Sequence, residues 1–168
     1  WDSAKAHYEQ AVRLDTSFAL AHRRLGTVLG WDALEFGRGS PQAAAHRLRA
    51  GALRAGLAPR ESLLVTADSL FASMTDFTGD SASWRLIERL FSTLEYAARR
   101  YPEDPEVWNE LGEARFHFGQ CVGATNEETR LAFDARRPRS GSPPSAALLD
   151  GCPRRLRSRR STRVCGTA

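Results

Sequence analysis

Apolar residues recur three and four apart along most of this chain, the spacing of one helical face. Residues 2 to 15 carry Ala4, Tyr8, Ala11, Val12 and Leu14 in that period, and Asp15 to Ser17 breaks it. Residues 18 to 30 resume it with Phe18, Ala21, Leu25 and Leu29. The segment 36 to 42, FGRGSPQ, is a loop that ends in Ser40-Pro41, an N-cap followed by proline in the first helical turn. An Ala-rich helix follows over 41 to 56. Another starts at Pro59 and runs to 77, with Leu63, Leu64, Ala67, Leu70, Phe71 and Met74 on one face. The strongest stripe lies in 82 to 101: Ile87, Leu90, Phe91, Leu94, Ala98 and Tyr101, with Arg85, Glu88, Arg89 and Glu95 mostly off it. A sixth helix is expected over about 105 to 118. A seventh opens on the capping box Thr125-Asn126-Glu127-Glu128 and carries Leu131, Ala132 and Phe133. No segment alternates as a strand would. The pattern predicts an all-α protein of antiparallel neighbours joined by short connections.

Two registers of this pattern share further detail. Trp108-x2-Leu111-Gly112 follows a turn marked by Pro102 and Pro105, and His22-x2-Leu25-Gly26 has the same form with His in the aromatic slot. Ala4-x3-Tyr8-x2-Ala11 precedes the second of these, with Thr16 closing it, and Ala97 and Pro102 stand at the same offsets before Trp108. In this, residues 2 to 134 resemble a tetratricopeptide repeat (TPR) array, whose 34-residue unit reads W-x2-L-G-x2-Y, A-x3-F, P. The stretch 31 to 83 departs from that length, and Arg115 stands in the usual Tyr slot. The resemblance implies a short right-handed α-solenoid of helix pairs. Neither helix of such a pair buries its apolar face alone. Gly26, Gly112, Ala4, Ala11 and Ala97 would then let helices approach closely, Leu25 and Leu111 would point into the pairs, and Trp108 would wedge between successive pairs.

A TPR binds through its inner groove, so the resemblance implies peptide contacts at Arg23, Thr27, Asn109, Glu113 and Phe116. Glu113 sits badly with an acidic peptide and favours a mixed or basic one. The layout also resembles TPR arrays that follow bacterial serine/threonine kinase domains or occur in signalling regulators. The implied function is non-catalytic protein–protein interaction or regulation, with an unidentified protein or peptide partner and an upstream kinase or regulator domain. Trp1 in place of an initiator Met reads as a fragment or a processed piece of a longer chain. No glycine-rich phosphate loop, His-Arg-Asp or Asp-Phe-Gly motif occurs in this sequence.

Charge divides the chain. Residues 135 to 168 hold nine Arg and one Asp, a net +8, whereas residues 1 to 134 hold fifteen basic and nineteen acidic side chains, a net −4. The body therefore presents nucleic acid with no broad basic footprint. The tail has almost no periodicity, and its composition cannot pack a core. Three readings of it stand: an out-of-frame translation, a passive disordered tail, or a disordered arm gripping phosphates through Arg154, Arg155, Arg157, Arg159 and Arg160. The last makes nucleic-acid binding the alternative function.

Catalytic and metal chemistry find little support in the residue pattern. His7, His22, His46 and His117 are scattered, with no i, i+4 pair or completing carboxylate set. Cys121, Cys152 and Cys165 form no C-x-x-C and read as free thiols of a reducing cytoplasm. Glu103, Asp104 and Glu106 read as helix-start charges. No cofactor is implied. No apolar run approaches the roughly 18 residues of a membrane span, and the N-terminus lacks the order of a signal peptide.

The out-of-frame reading has a direct check in the coding strand. Ala135 to Gly141 can be written GCG-CGT-CGC-CCT-CGA-TCC-GGG, and this string read one base later gives Arg-Val-Ala-Leu-Asp-Pro, an echo of the chain's own AVRLDTSFA at 11 to 19. Sequencing the gene is expected to show the repeat resuming in a second frame after about residue 135. A coding strand with no repeat in either other frame excludes this reading.

Overall fold

The computed structural model describes residues 1–35, 40–74, 80–122, 131 and 134. They form helices α1 (Asp2–Leu14), α2 (Ala19–Glu35), α3 (Pro41–Ala52), α4 (Pro59–Ala72), α5 (Ser81–Arg100) and α6 (Pro105–Val122), with no strand among the described residues. The all-α expectation therefore holds. The seventh helix, expected over 125 to 134, falls almost wholly outside the described residues, as does the tail from 135 onward.

Helix starts follow the local chemistry read from the sequence. The Ser40 hydroxyl accepts from the Ala43 amide at 3.0 Å, with Pro41 in the first turn. Asp80 accepts from the Ser83 amide at 2.8 Å, and Asp104 from the amides of Glu106 and Val107 at 3.0 and 3.3 Å. Each satisfies donors that the helix itself leaves unpaired. The break after α1 is an Asp15 turn: the carboxylate accepts from both the amide and the hydroxyl of Ser17. These bonds from Ser17 hold the Asp15 carboxyl below its usual range.

Helix ends are less predictable from sequence. α2 continues past Gly30 to Glu35 because Trp31 to Glu35 are tolerant of helix and Gly30 does not adopt the left-handed conformation that ends one. α3 stops at Ala52 rather than 56. Gly56 lies in the following turn with φ of 81°, a conformation that favours glycine.

Packing divides the chain into two compact units, Trp1–Phe77 and Thr78–Ala168, a division that falls inside the stretch read above as one repeat body. In the first unit α1 packs on α2, α2 on α3, and α3 on α4, and α2 also touches α4 directly. Tyr8 and Val12 of α1 close over Leu25, Leu29 and Ala43. Leu64, Val65, Ala67 and Leu70 supply the buried face of α4. In the second unit α5 packs on α6. Ile87, Leu90, Phe91, Leu94, Ala97 and Ala98 of α5 are all buried, as the periodicity required. On α6, Val107, Trp108, Leu111 and Ala114 are buried too. Trp108 is 2% exposed, and its indole Nε1 donates to the Pro102 carbonyl at 2.7 Å, tying α6 to the turn before it.

The helix crossings in the first unit are tight. A Cβ placed on Gly26 would lie 2.9 Å from Arg47 Cγ and 3.0 Å from the Ala43 carbonyl oxygen. One placed on Gly51 would lie 2.4 Å from Ser69 Oγ and 2.5 Å from Ser69 Cβ. Gly26 thus sets the approach of α2 to α3, and Gly51 that of α3 to α4. Gly112 on α6 is buried as well. Gly51→Ala is expected to destabilise the protein by about 1–3 kcal/mol, the usual cost of overpacking. Adding Ser69→Gly should recover part of that loss, so a double-mutant cycle by chemical denaturation should show favourable coupling between the two sites.

Candidate functional site

The residues expected to line a groove fall in both units. Arg23 and Thr27 are on α2, in the first; Asn109, Glu113 and Phe116 are on α6, in the second.

Arg23 does not line a surface. It is 1% exposed, and its Nε donates to Asp68 Oδ2 on α4 at 2.6 Å, an ion pair whose aspartate side chain is 9% exposed. The expectation of a peptide contact at Arg23 is corrected: the residue fastens α2 to α4. A guanidinium this deep needs a carboxylate, because an unpaired buried charge is costly. Thr27, one turn on, is half-buried, and its hydroxyl donates to the Arg23 carbonyl at 3.2 Å. Four residues further along α2, Trp31 is 50% exposed. That aromatic was not singled out in the sequence, where the helical face was read only to residue 30.

On α6, Asn109 and Glu113 are half-buried and Phe116 is 68% exposed. His117 Nε2 lies 3.7 Å from Glu113 Oε2 in an i, i+4 pair, and its ring meets that of Phe116 edge-on at 5.1 Å. An exposed aromatic, a carboxylate and an imidazole thus share a short stretch of α6. Such a surface suits contacts with a partner that offers both apolar and basic groups. Arg115, in the slot where the repeat usually has Tyr, is buried.

Two further polar groups lie at the α2–α3 seam. Arg47 of α3 runs along α2 over the two glycines one turn apart: a Cβ on Gly30 would sit 3.0 Å from Arg47 Nη2. Its guanidinium stands 5.9 Å from the centre of the Phe71 ring on α4, and its Nε is buried with no hydrogen-bond acceptor among the described residues. The aromatic face partly compensates the charge. On the same seam His22 Nδ1 lies 2.9 Å from His46 Nδ1, and His22 Nε2 lies 3.2 Å from the Thr16 carbonyl oxygen. Burial first, and then the neighbouring His22, lower the pKa of His46 below its ordinary value; Glu9 acts in the opposite sense.

No group of three or more His, Cys, Asp or Glu among the described residues is arranged to hold a metal ion. The side chain of Cys121, and Cys152 and Cys165 altogether, lie outside those residues. No described helix is long and apolar enough to cross a membrane. No family model matches this sequence, and no curated protein or solved structure is significantly similar to it.

The Arg23–Asp68 pair generates a stability prediction. Asp68→Ala removes a carboxylate from a buried guanidinium and is expected to cost about 3–5 kcal/mol. Replacing both partners, Arg23→Met with Asp68→Leu, should be far less damaging than the single change. Urea denaturation of the three variants checks the ordering. A single variant as stable as the parent would show that the pair does not join the helices.

Proposed function

We propose that this chain is a non-catalytic protein-interaction module, a short right-handed α-solenoid of TPR type that presents one layer of its helices to a peptide. The observation that carries the reading is the direct contact of α2 with α4 while both pack on α3, locked by the buried Arg23–Asp68 pair. Contact between alternate helices is what stacking of helix pairs produces: successive pairs share a core, and their alternate helices form one continuous layer. The buried Leu25 and Leu111, and the tight crossing at Gly26, support the same phase.

The binding residues of this reading are those the packing leaves accessible. In the first unit they are Thr27 and Trp31 of α2; in the second, taken by itself, they are Asn109, Glu113 and Phe116 of α6. Trp31 and Phe116 are the large apolar side chains of the two sets and stand well out of the core. Exposed aromatics contribute disproportionately to protein interfaces. Glu113 would pair with a basic residue of the peptide.

Selection of a displayed peptide library on the purified full chain tests this. Peptides enriched above control are expected to lose about tenfold or more in affinity on Trp31→Ser or Phe116→Ser, consistent with removal of an interface anchor. They should bind equally well after truncation at Asp134. Failure to enrich any peptide, or peptides indifferent to both substitutions, would refute the proposal. Binding of nucleic acid that is steeply salt-dependent and lost on the same truncation would establish the arginine tail as the functional element instead.

A further inference from the structure

The two histidines at the α2–α3 seam have a defined proton arrangement. The Thr16 carbonyl oxygen can only accept, so His22 Nε2, 3.2 Å away, carries a hydrogen. In the neutral ring His22 Nδ1 then holds the lone pair. The hydrogen between the rings, across 2.9 Å, must therefore belong to His46 Nδ1. This leaves His46 Nε2 as the remaining basic nitrogen of the pair.

One added proton is compatible with this geometry. It binds His46 Nε2, and the Nδ1–H of His46 still donates to His22, now as a charge-assisted bond. A second proton has only His22 Nδ1 to occupy. Two N–H groups would then face each other across 2.9 Å, each on a cationic ring, in a seam where His22 is buried. Two nearby carboxylates favour a charged ring but leave the opposed N–H groups in place. Glu9 of α1 acts on His46, and Asp15 of the α1–α2 turn acts on His22. On α4, Asp68 is engaged by Arg23, and the Arg47 guanidinium of α3 lies at Gly30, about two turns along α2 from His22.

We propose that His22 and His46 form a one-proton latch: the pair holds α2 on α3 while it carries no extra proton or one, and releases the seam when it is driven to carry two. Because His22 lies beside Arg23 on the helix that bridges α3 and α4, release would loosen the first unit as a whole. The proposal does not rest on the interaction role and stands or falls without it.

The linkage has a definite sign. Imidazoles in the unfolded chain titrate near pH 6.5. Below that pH the unfolded pair binds two protons, whereas the folded geometry, with two Nδ1 atoms 2.9 Å apart, has room for one. The latch's contribution is complete above about pH 6.5 and falls as the pH drops, by about tenfold in the folding constant per pH unit, until the folded pair takes its second proton.

Two measurements on the full chain test this. The first is nitrogen-15 NMR of the imidazoles at pH 7.5, expected to find the proton of His46 on Nδ1 and that of His22 on Nε2. A proton on Nε2 of both rings would set two lone pairs against each other and overturn the proposal. The second is denaturation at pH 7.5 and pH 5.0 of the parent, His46→Phe and His22→Phe. The parent should lose more stability between the two pH values than either variant, because each variant retains only one of the paired rings. His7 and His117 are common to all three and cancel. An equal loss in all three proteins would also overturn it. If a phenylalanine variant does not fold, the tautomer measurement on the parent decides.

Discussion

The first unit depends on how thin α3 is. Its sequence, PQAAAHRLRAGA, places small side chains against both neighbours, and Gly26 on α2 removes the obstruction from the other side. At the α3–α4 crossing Gly51 leaves room for Ser69 where even a methyl group would collide. Close approach on both flanks is what lets α2 and α4 meet each other as well as the helix between them. Dispersion and apolar burial both reward such nesting, since a gap of even a fraction of an ångström forfeits much of the contact energy. The glycines cost helix propensity of about 1 kcal/mol each relative to Ala. The added contact between alternate helices offsets that cost.

The polar groups of the seam follow from the same closeness. Once α2 and α4 are in contact, a long side chain on one can reach the other without entering solvent, and Arg23 does so to Asp68. Such a pair is not chiefly a source of net stability, because desolvating both ions consumes much of what their attraction returns. It also ties one position of α2 to one position of α4: sliding α4 by one turn would separate Arg23 from Asp68. Arg47 shows a different solution. Its aliphatic stem lies against Gly26 and its guanidinium over Gly30, with the charged end facing the Phe71 ring. The glycines therefore admit a side chain as well as a neighbouring backbone.

Local and periodic features were legible in the sequence; pairings distant along the chain were not. The α5 stripe could be read because a period of three and four over twenty residues has one interpretation. The Ser40 and Asp104 caps could be read because a short polar side chain before proline satisfies amides within three residues of it. Trp108 and Leu111 were expected in the core and are buried there. Arg23 was misplaced because a charged residue on a polar-looking helix face carries no local sign of burial. Its partner is 45 residues away, on a helix read for its apolar face alone. His46 was read only as one of four scattered histidines and Arg47 was not singled out, for the same reason: each acquires meaning only when α3 is laid against α2. The periodicity was read only to residue 30, whereas α2 runs to Glu35; Gly30 does not take the left-handed conformation with which glycine commonly ends a helix.

Residues 22 and 23 are neighbours in sequence, and about 100° of helical rotation separates them on α2. That rotation sends His22 toward α3 and Arg23 toward α4, so one turn of one helix is matched by both of its neighbours through polar contacts. The two contacts differ in what they ask of the solvent. A guanidinium keeps its charge at any pH a folded protein meets, so the α2–α4 link persists as long as Asp68 stays ionised. An imidazole changes charge within the physiological range, so the α2–α3 link depends on how many protons the pair holds. A stack fastened on one side by a permanent charge and on the other by a titratable pair is asymmetric by construction. Its weaker seam under acid is the one where Gly26, Arg47 and His46 converge, and there the apolar contact of Leu25 and Leu29 with Ala43 is what remains once the hydrogen bond is lost.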